Sequence, residues 1–265
     1  MHPTLRLEPP FEYIEEGHGQ PLLLLHGLFG ALSNWQALLN HFSAQYRVLI
    51  PLLPITKNTH EVKPTVEGLA SYVHAFWQYK QLGQVTLLGN SLGGHVALVY
   101  ALMYPHNVTG IVLTGSSGLF EAGMGQGMPR RGDYQYLQER VAFTFYDPAV
   151  ATKELVDEVH ALVNNRMAAI RIVNLARNAQ RTNMRVQVRR IQAPTCLIWG
   201  LNDNITPTYV AHEFNRLIPN SELHFIDRCG HAAMMERPEA FNAIVANFLR
   251  KSSVSFTLQG VSAPL

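Results

Sequence analysis

Cysteine is scarce in this chain. There are two in 265 residues, Cys196 and Cys229, and neither sits in a C-x-x-C pair. That excludes a disulfide framework and a paired-thiol redox motif, and it suits a reducing cytoplasm. Charge is sparse as well. Asp, Glu, Lys and Arg make up 15% of the residues and the formal net charge is +2, so no strong field points to a polyanionic partner. Long apolar runs are missing, and stretches such as Leu22–Leu25 are far too short to span a bilayer. The opening Met1-His2-Pro3-Thr4-Leu5-Arg6 lacks the basic, apolar and cleavage regions of a secretory signal, so the expected location is cytoplasmic. No internal repeat is visible. What is present, at 47% hydrophobic residues, is enough apolar material for one large globular core.

That material falls into short apolar runs separated by longer segments of helical periodicity. Phe11–Glu15 and Pro21–Leu25 read as strands joined by a Gly17-His18-Gly19 turn. Ala31–Phe42 reads as a helix, Arg47–Ile50 as a strand and Thr65–Lys80 as a helix. Val85–Leu88 leads as a strand into a helix over Leu92–Tyr104, stopped by Pro105, and Gly110–Thr114 is the next strand. Strands at Thr195–Trp199 and Leu223–Ile226 follow, with helices near Thr208–Leu217 and Pro238–Lys251. Strands spaced by helices imply an α/β fold, a mostly parallel sheet covered on both faces. The uninterrupted Leu22–Leu25 and Cys196–Trp199 runs suit strands buried on both sides.

Residues 115–193 break the rhythm. The segment is too long for a plain connection. It opens with a Gly-rich run, Gly123-Met124-Gly125-Gln126-Gly127, read as a flexible loop, and continues as several helices from Tyr134 to Arg189. The expectation is a helical cap, or lid, over 115–193, inserted into a core formed by 1–114 and 194–265. Ser252–Leu265 reads as a poorly packed end.

Gly89-Asn90-Ser91-Leu92-Gly93 stands between an apolar strand and a helix, which is the setting in which G-x-S-x-G carries meaning. The sharp turn needs small neighbours, and the helix N-terminus behind it favours negative charge developing at Ser91. Ser91 is the expected nucleophile. A base must take its proton and an acid must hold that base in the right tautomer. His231, in Cys229-Gly230-His231, and Asp203, in Trp199-Gly200-Leu201-Asn202-Asp203, both leave the carboxyl ends of strands, where open α/β sheets place their sites. The chain order Ser, Asp, His also fits this type of elbow. Asp227 is the competing acid and reads as a surface or loop-capping group. For the oxyanion hole, the Leu92 amide is one expected donor. Leu28, in His26-Gly27-Leu28-Phe29-Gly30, is the other, with Phe29 as second choice. His26 reads as a structural tie within its own loop.

With these motifs in order and at such separations, the chain resembles the α/β-hydrolase superfamily over nearly its whole length outside 115–193. The resemblance implies an α/β-hydrolase fold: an eight-stranded, mostly parallel sheet with helices on both faces and a lid over the site. It implies no cofactor and no metal. One departure is the turn after the Arg47–Ile50 strand, where family members often carry a glycine and this chain has Pro51-Leu52-Leu53-Pro54-Ile55-Thr56.

A serine at the elbow argues against the relatives that open epoxides or displace halides, which use aspartate there. The leading expectation is a carboxylesterase-like serine hydrolase acting on small to medium apolar esters through an acyl-enzyme. The alternatives are C–C hydrolysis of meta-cleavage-type diketones and cofactor-free perhydrolysis. Enzymes of the C–C group share the Gly89-Asn90-Ser91 context. They would want a cap arginine for a substrate carboxylate, with Arg166 as candidate, and they tend to carry Trp where this chain has Ala232. Phe29, Met124, Phe143 and Met234 are the expected pocket residues, among Phe120, Met128, Phe145, Met167 and Met235 as further apolar candidates. The expected partner is a small-molecule ester, with no nucleic acid and no membrane span, and with oligomeric state open. The opposing non-enzymatic reading rests on Arg166, Arg171, Arg177, Arg181, Arg185, Arg189 and Arg190, a basic run that would bind a polyanion. Four-residue spacings and the absence of stacking aromatics in that run favour a solvated face.

Overall fold

The computed structural model describes residues 4–30, 32–57, 62–121 and 132–259, with side chains described as far as residue 251. Among these residues the chain begins with β1 (Arg6–Glu8), β2 (Phe11–Glu16) and β3 (Gln20–Leu25), then α1 (Gln36–Phe42), β4 (Tyr46–Pro51) and α2 (Val66–Tyr79). It continues through β5 (Val85–Asn90), α3 (Leu92–Met103) and β6 (Val108–Thr114). Helices α4 (Tyr134–Ala142), α5 (Lys153–Asn164) and α6 (Arg166–Arg181) precede β7 (Thr195–Gly200), and α7 (Thr208–Leu217), β8 (Ser221–Ile226), α8 (Ala233–Glu236) and α9 (Pro238–Gln259) complete the chain. The strands form one eight-stranded sheet in the order β1-β2-β4-β3-β5-β6-β7-β8. β1 and β2 run antiparallel to their neighbours, and every pairing from β4 through β8 is parallel.

Strand alternation divides the core. Leu23 and Leu25 face one layer, packed with residues of α2, α3 and α7, while Leu22 and Leu24 face the other, packed with α1 and α9. Both faces are covered, which is why β5 and β7 are buried at every position. Each of these leucines contributes roughly 2 kcal/mol by leaving water.

Several boundaries differ from the sequence expectation. β1 has no apolar alternation and lies exposed at the sheet edge. The expected Ala31–Phe42 helix begins as a 3₁₀ turn over Leu32–Trp35, and Ala31 lies outside the described residues. α9 runs eight residues past Lys251, so the segment expected to be a loose end continues the helix to Gln259; residues 260–265 lie outside the described residues. The Gly123–Gly127 run, Met124 and Met128 lie there too. No helix among the described residues is long and apolar enough to cross a membrane.

α4, α5 and α6 pack in sequence against one another, and α6 also reaches α2. Each starts on a side-chain cap: Asp133 accepts from the Tyr136 amide, Thr152 from Leu155, and Asn165 from Met167 and Ala168. α3 has no side-chain cap, and its first amide, that of Leu92, has no partner among the described residues where β5 delivers the chain.

Candidate active site

Ser91 joins β5 to α3 with φ 53° and ψ −120°, a conformation that costs a non-glycine residue about 1–3 kcal/mol. The surroundings impose it. The Ser91 amide donates to Thr114 O (3.1 Å), and the Ser91 carbonyl accepts from the Gly94 (3.0 Å) and Ser117 (3.2 Å) amides. Gly93 is required by close approach, because a Cβ there would lie 2.0 Å from the carbonyl oxygen of Leu25.

Asp203 and His231 meet at the ends of β7 and β8. His231 Nδ1 lies 2.9 Å from Asp203 Oδ2 and 3.1 Å from Oδ1. The carboxylate also accepts from the Ile205 and Thr206 amides at Oδ1 (2.8 Å each) and from Thr206 Oγ1 at Oδ2 (2.7 Å). Indole Nε1 of Trp199 donates to Thr206 O (2.7 Å), fixing that loop. Burial alone would raise the Asp203 carboxyl, but the charge and hydrogen bond of His231, with the Thr206 donors, hold it below the ordinary carboxylate range. Burial likewise pushes His231 down, and Asp203, with a smaller contribution from Glu121, pushes it above its ordinary value. With Nδ1–H given to Asp203, the other ring nitrogen keeps the lone pair that a base needs. Asp227 is exposed on the surface.

Three residues that position this pair were not anticipated. Asn90 Nδ2 donates to Thr114 O (3.0 Å) and His231 O (3.1 Å), tying the elbow to the histidine loop. Gly115, at φ +51°, lies against the imidazole: a Cβ there would fall 2.7 Å from Nδ1. Gly200 lets the two loops touch, since a Cβ would lie 2.2 Å from the carbonyls of Cys229 and Gly230. Asn90 and Gly200 stand inside the motifs read from the sequence, which do not disclose these contacts, and Gly115 carries no signal of its own.

The Leu28 and Leu92 amides donate to no carbonyl or side chain among the described residues, and both residues line the cavity that holds Ser91 and His231. His26 is buried and ties the Leu28 loop down, with Nδ1 donating to Gly27 O (2.9 Å) and Nε2 accepting from the Leu53 amide (3.0 Å). Burial holds it neutral by lowering its pKa. The glycine-free turn after β4 packs inward through Leu53 and Ile55 and supplies no wall of the cavity.

The cavity has a volume of about 520 Å³. Phe29, Phe145, Ile205 and Met235 line it, as do Leu137 and Val141 of α4, Val159 and Val163 of α5, and Ile172 and Ala176 of α6. Two expected pocket residues stand elsewhere. Phe143, at the C-terminal end of α4, is 42% exposed, and Met234 turns into the core beneath α9 while its neighbour Met235 takes the cavity face. Phe120 and Met167 are exposed too.

Arg166 is exposed at the first residue of α6 and does not reach the cavity. Its place is taken by Arg177, three turns further on, and by Arg140 of α4. Buried Nε of Arg140 has no hydrogen-bond partner among the described residues, and its guanidinium lies 5.2 Å from the Tyr136 ring. The spacing Tyr136, Leu137, Arg140, Val141, Thr144, all of it cavity-lining, is the one signal in the sequence that marks this face. Glu121 also lines the cavity. Burial raises its carboxyl pKa, and His231 partly offsets that. Elsewhere in the basic run, Arg185 pairs with Glu213 (2.6 Å).

Among the described residues, Cys196, Glu222 and His224 offer ligand atoms within 4.8 Å of one another. The Lys251 ammonium already sits 2.7 Å from Glu222, and burial raises the Cys196 thiol, so the group is poorly suited to a cation.

The family model for the alpha/beta hydrolase fold matches residues 20–238. A solved alpha/beta hydrolase enzyme from the metagenome of lagoon sediments at Mar Chica, Morocco, is 39% identical, with a TM-score of 0.77 and 94% of this chain and 99% of that chain covered. The 2-hydroxy-6-oxo-2,4-heptadienoate hydrolase of Pseudomonas putida is 27% identical over 256 residues, 88% of this chain and 90% of its own. The 2-hydroxy-6-oxo-6-phenylhexa-2,4-dienoate hydrolase of Burkholderia cepacia is 28% identical over 258 residues, 89% of each.

Proposed function

The chain belongs to the α/β-hydrolase family, and from that premise we propose that it hydrolyses carboxylic esters of small to medium apolar acids or alcohols, with Ser91 as nucleophile, His231 as general base and acid, and Asp203 as its orienting partner. The observation that carries the reading is the buried Asp203–His231 pair, whose histidine lines one largely apolar cavity together with Ser91. His231 takes the Ser91 proton as Oγ attacks the ester carbonyl. The Leu28 and Leu92 amides hold the resulting oxyanion, and the alcohol leaves with the proton from His231. Water, deprotonated by the same nitrogen, then attacks the acyl carbonyl, and His231 returns the proton to Ser91 Oγ as the acyl–oxygen bond breaks. A cavity of about 520 Å³ suits a medium acyl or aryl group. In this reading α4–α6 form the lid wall that selects that group.

A second reading, C–C hydrolysis of a diketone acid, is favoured by Arg140 and Arg177, cations placed to meet a substrate carboxylate, and by the names of the two curated relatives. The two readings separate in one assay. Turnover of a p-nitrophenyl ester series, acetyl to dodecanoyl, is measured beside cleavage of a ring-fission dienoate. The ester reading expects an optimum at intermediate acyl length and slow dienoate cleavage. Fast dienoate cleavage with negligible ester turnover overturns it.

The pH dependence follows from the histidine. Only neutral His231 accepts the Ser91 proton, and Asp203 and Glu121 raise its pKa above the ordinary value of about 6.5. Activity is therefore lost as pH falls through a midpoint above about 6.5 in kcat/KM. A midpoint at or below that value contradicts the electrostatic account.

A further inference from the structure

We propose that Glu236 is a positioning residue that fastens the His231 loop to the helical segment between β6 and β7, so that the general base is placed in part by residues 144–147. The proposal rests on His231 being that base.

Glu236 is 5% exposed, and its two carboxylate oxygens go to two different stretches of chain. Oε2 accepts from the Gly230 amide (2.6 Å), and Oε1 accepts from the Asp147 amide (2.7 Å). The next amide along, that of His231, donates to Thr144 O (2.8 Å). The two strands of chain are in direct contact here: a Cβ on Gly230 would lie 2.5 Å from Thr144 O and 2.9 Å from Phe145 Cα. The remaining handles on the loop go to the core, where Cys229 O accepts from the Asn202 amide (2.9 Å) and His231 O from Asn90 Nδ2 (3.1 Å). The His231 loop is therefore held from the insert as well as from the core.

A carboxylate suits this post because it offers acceptors to two N–H groups, the buried Gly230 amide and the part-buried Asp147 amide, and donates to neither. Glutamine keeps the size but turns an NH₂ toward one of those donors, leaving that amide without its acceptor. Any hinge that moves α4–α6 over the cavity must also leave 144–147 in place, since motion of that stretch would carry the base away from Asp203.

The test is Glu236→Gln, assayed for kcat and KM on the best ester. It is paired with proton NMR of the low-field His231 Nδ1–H resonance, well below the melting temperature. A displaced base lowers kcat by about a hundredfold with KM nearly unchanged, and shifts or broadens the resonance. Asp147→Pro removes the insert-side donor, and with it the Asp147 Oδ1 cap on the Ala149 amide, at a φ of −95° just outside proline's usual range; its kcat falls in the same direction, by less. Wild-type kcat and an unmoved resonance in either folded variant overturn the proposal, as does activity that merely tracks the folded fraction. His231→Ala is run alongside. If it is inactive while the Glu236 and Asp147 variants behave as wild type, only the positioning role fails. Turnover by His231→Ala removes the reading on which that role rests.

Discussion

Ser91→Ala folds and loses ester turnover by about 10⁶-fold, the scale seen when a serine nucleophile that acts as a unit with its base is removed. The backbone argument makes the folded outcome specific. Ser91 holds its φ of 53° through main-chain bonds to Thr114, Gly94 and Ser117, none of which uses the side chain. Alanine keeps all three and carries the same Cβ, so the elbow persists without its hydroxyl. The checks are single-turnover kinetics, circular dichroism and the melting temperature. Near-wild-type turnover in a folded Ser91→Ala protein removes the nucleophile assignment.

Asp203→Asn costs about 10⁴-fold in kcat, and the hydrogen bonds say why. Oδ1 accepts from two backbone amides, Ile205 and Thr206, so the asparagine oxygen must occupy that place. Its NH₂ then stands where Oδ2 stood, 2.9 Å from His231 Nδ1. Two donors cannot face each other, so the imidazole moves its proton to Nε2 and can no longer accept one from Ser91. Thr206 Oγ1 loses its acceptor at Oδ2 as well, a further buried penalty. Asp227→Asn, on the exposed surface after β8, leaves kcat at the wild-type level. A crippled Asp227 variant beside an active Asp203 variant reverses the choice of acid.

The parts of this site that could be read from sequence are those fixed by strand ends. Runs such as Leu22–Leu25 and Cys196–Trp199 are buried on both faces, so a strand is their only reasonable state, and the residues just beyond β5, β7 and β8 converge on one sheet edge. The cavity wall was less legible because it depends on which face of a helix points inward. Met234 and Met235 are adjacent on one short helical turn, and a single residue of rotation separates core from cavity. Arg166 and Arg177 lie on nearly the same face of α6 but roughly 16 Å apart along its axis, so composition alone could not choose between them. β1 was invisible because a three-residue exposed edge strand leaves no pattern. The Glu236 links were hidden for another reason: Gly230 and Asp147 are far apart in sequence, and only the packed fold brings their amides to one carboxylate.

The most direct measurement is covalent. A small fluorophosphonate reacts only with a serine whose base and oxyanion donors are in place, and the label can be mapped by mass spectrometry. The account predicts one adduct per chain, on Ser91, forming with an acid limb that follows the His231 titration and disappearing in Ser91→Ala. A folded, hydrolytically active protein that takes no label, or takes it on another residue, would contradict it.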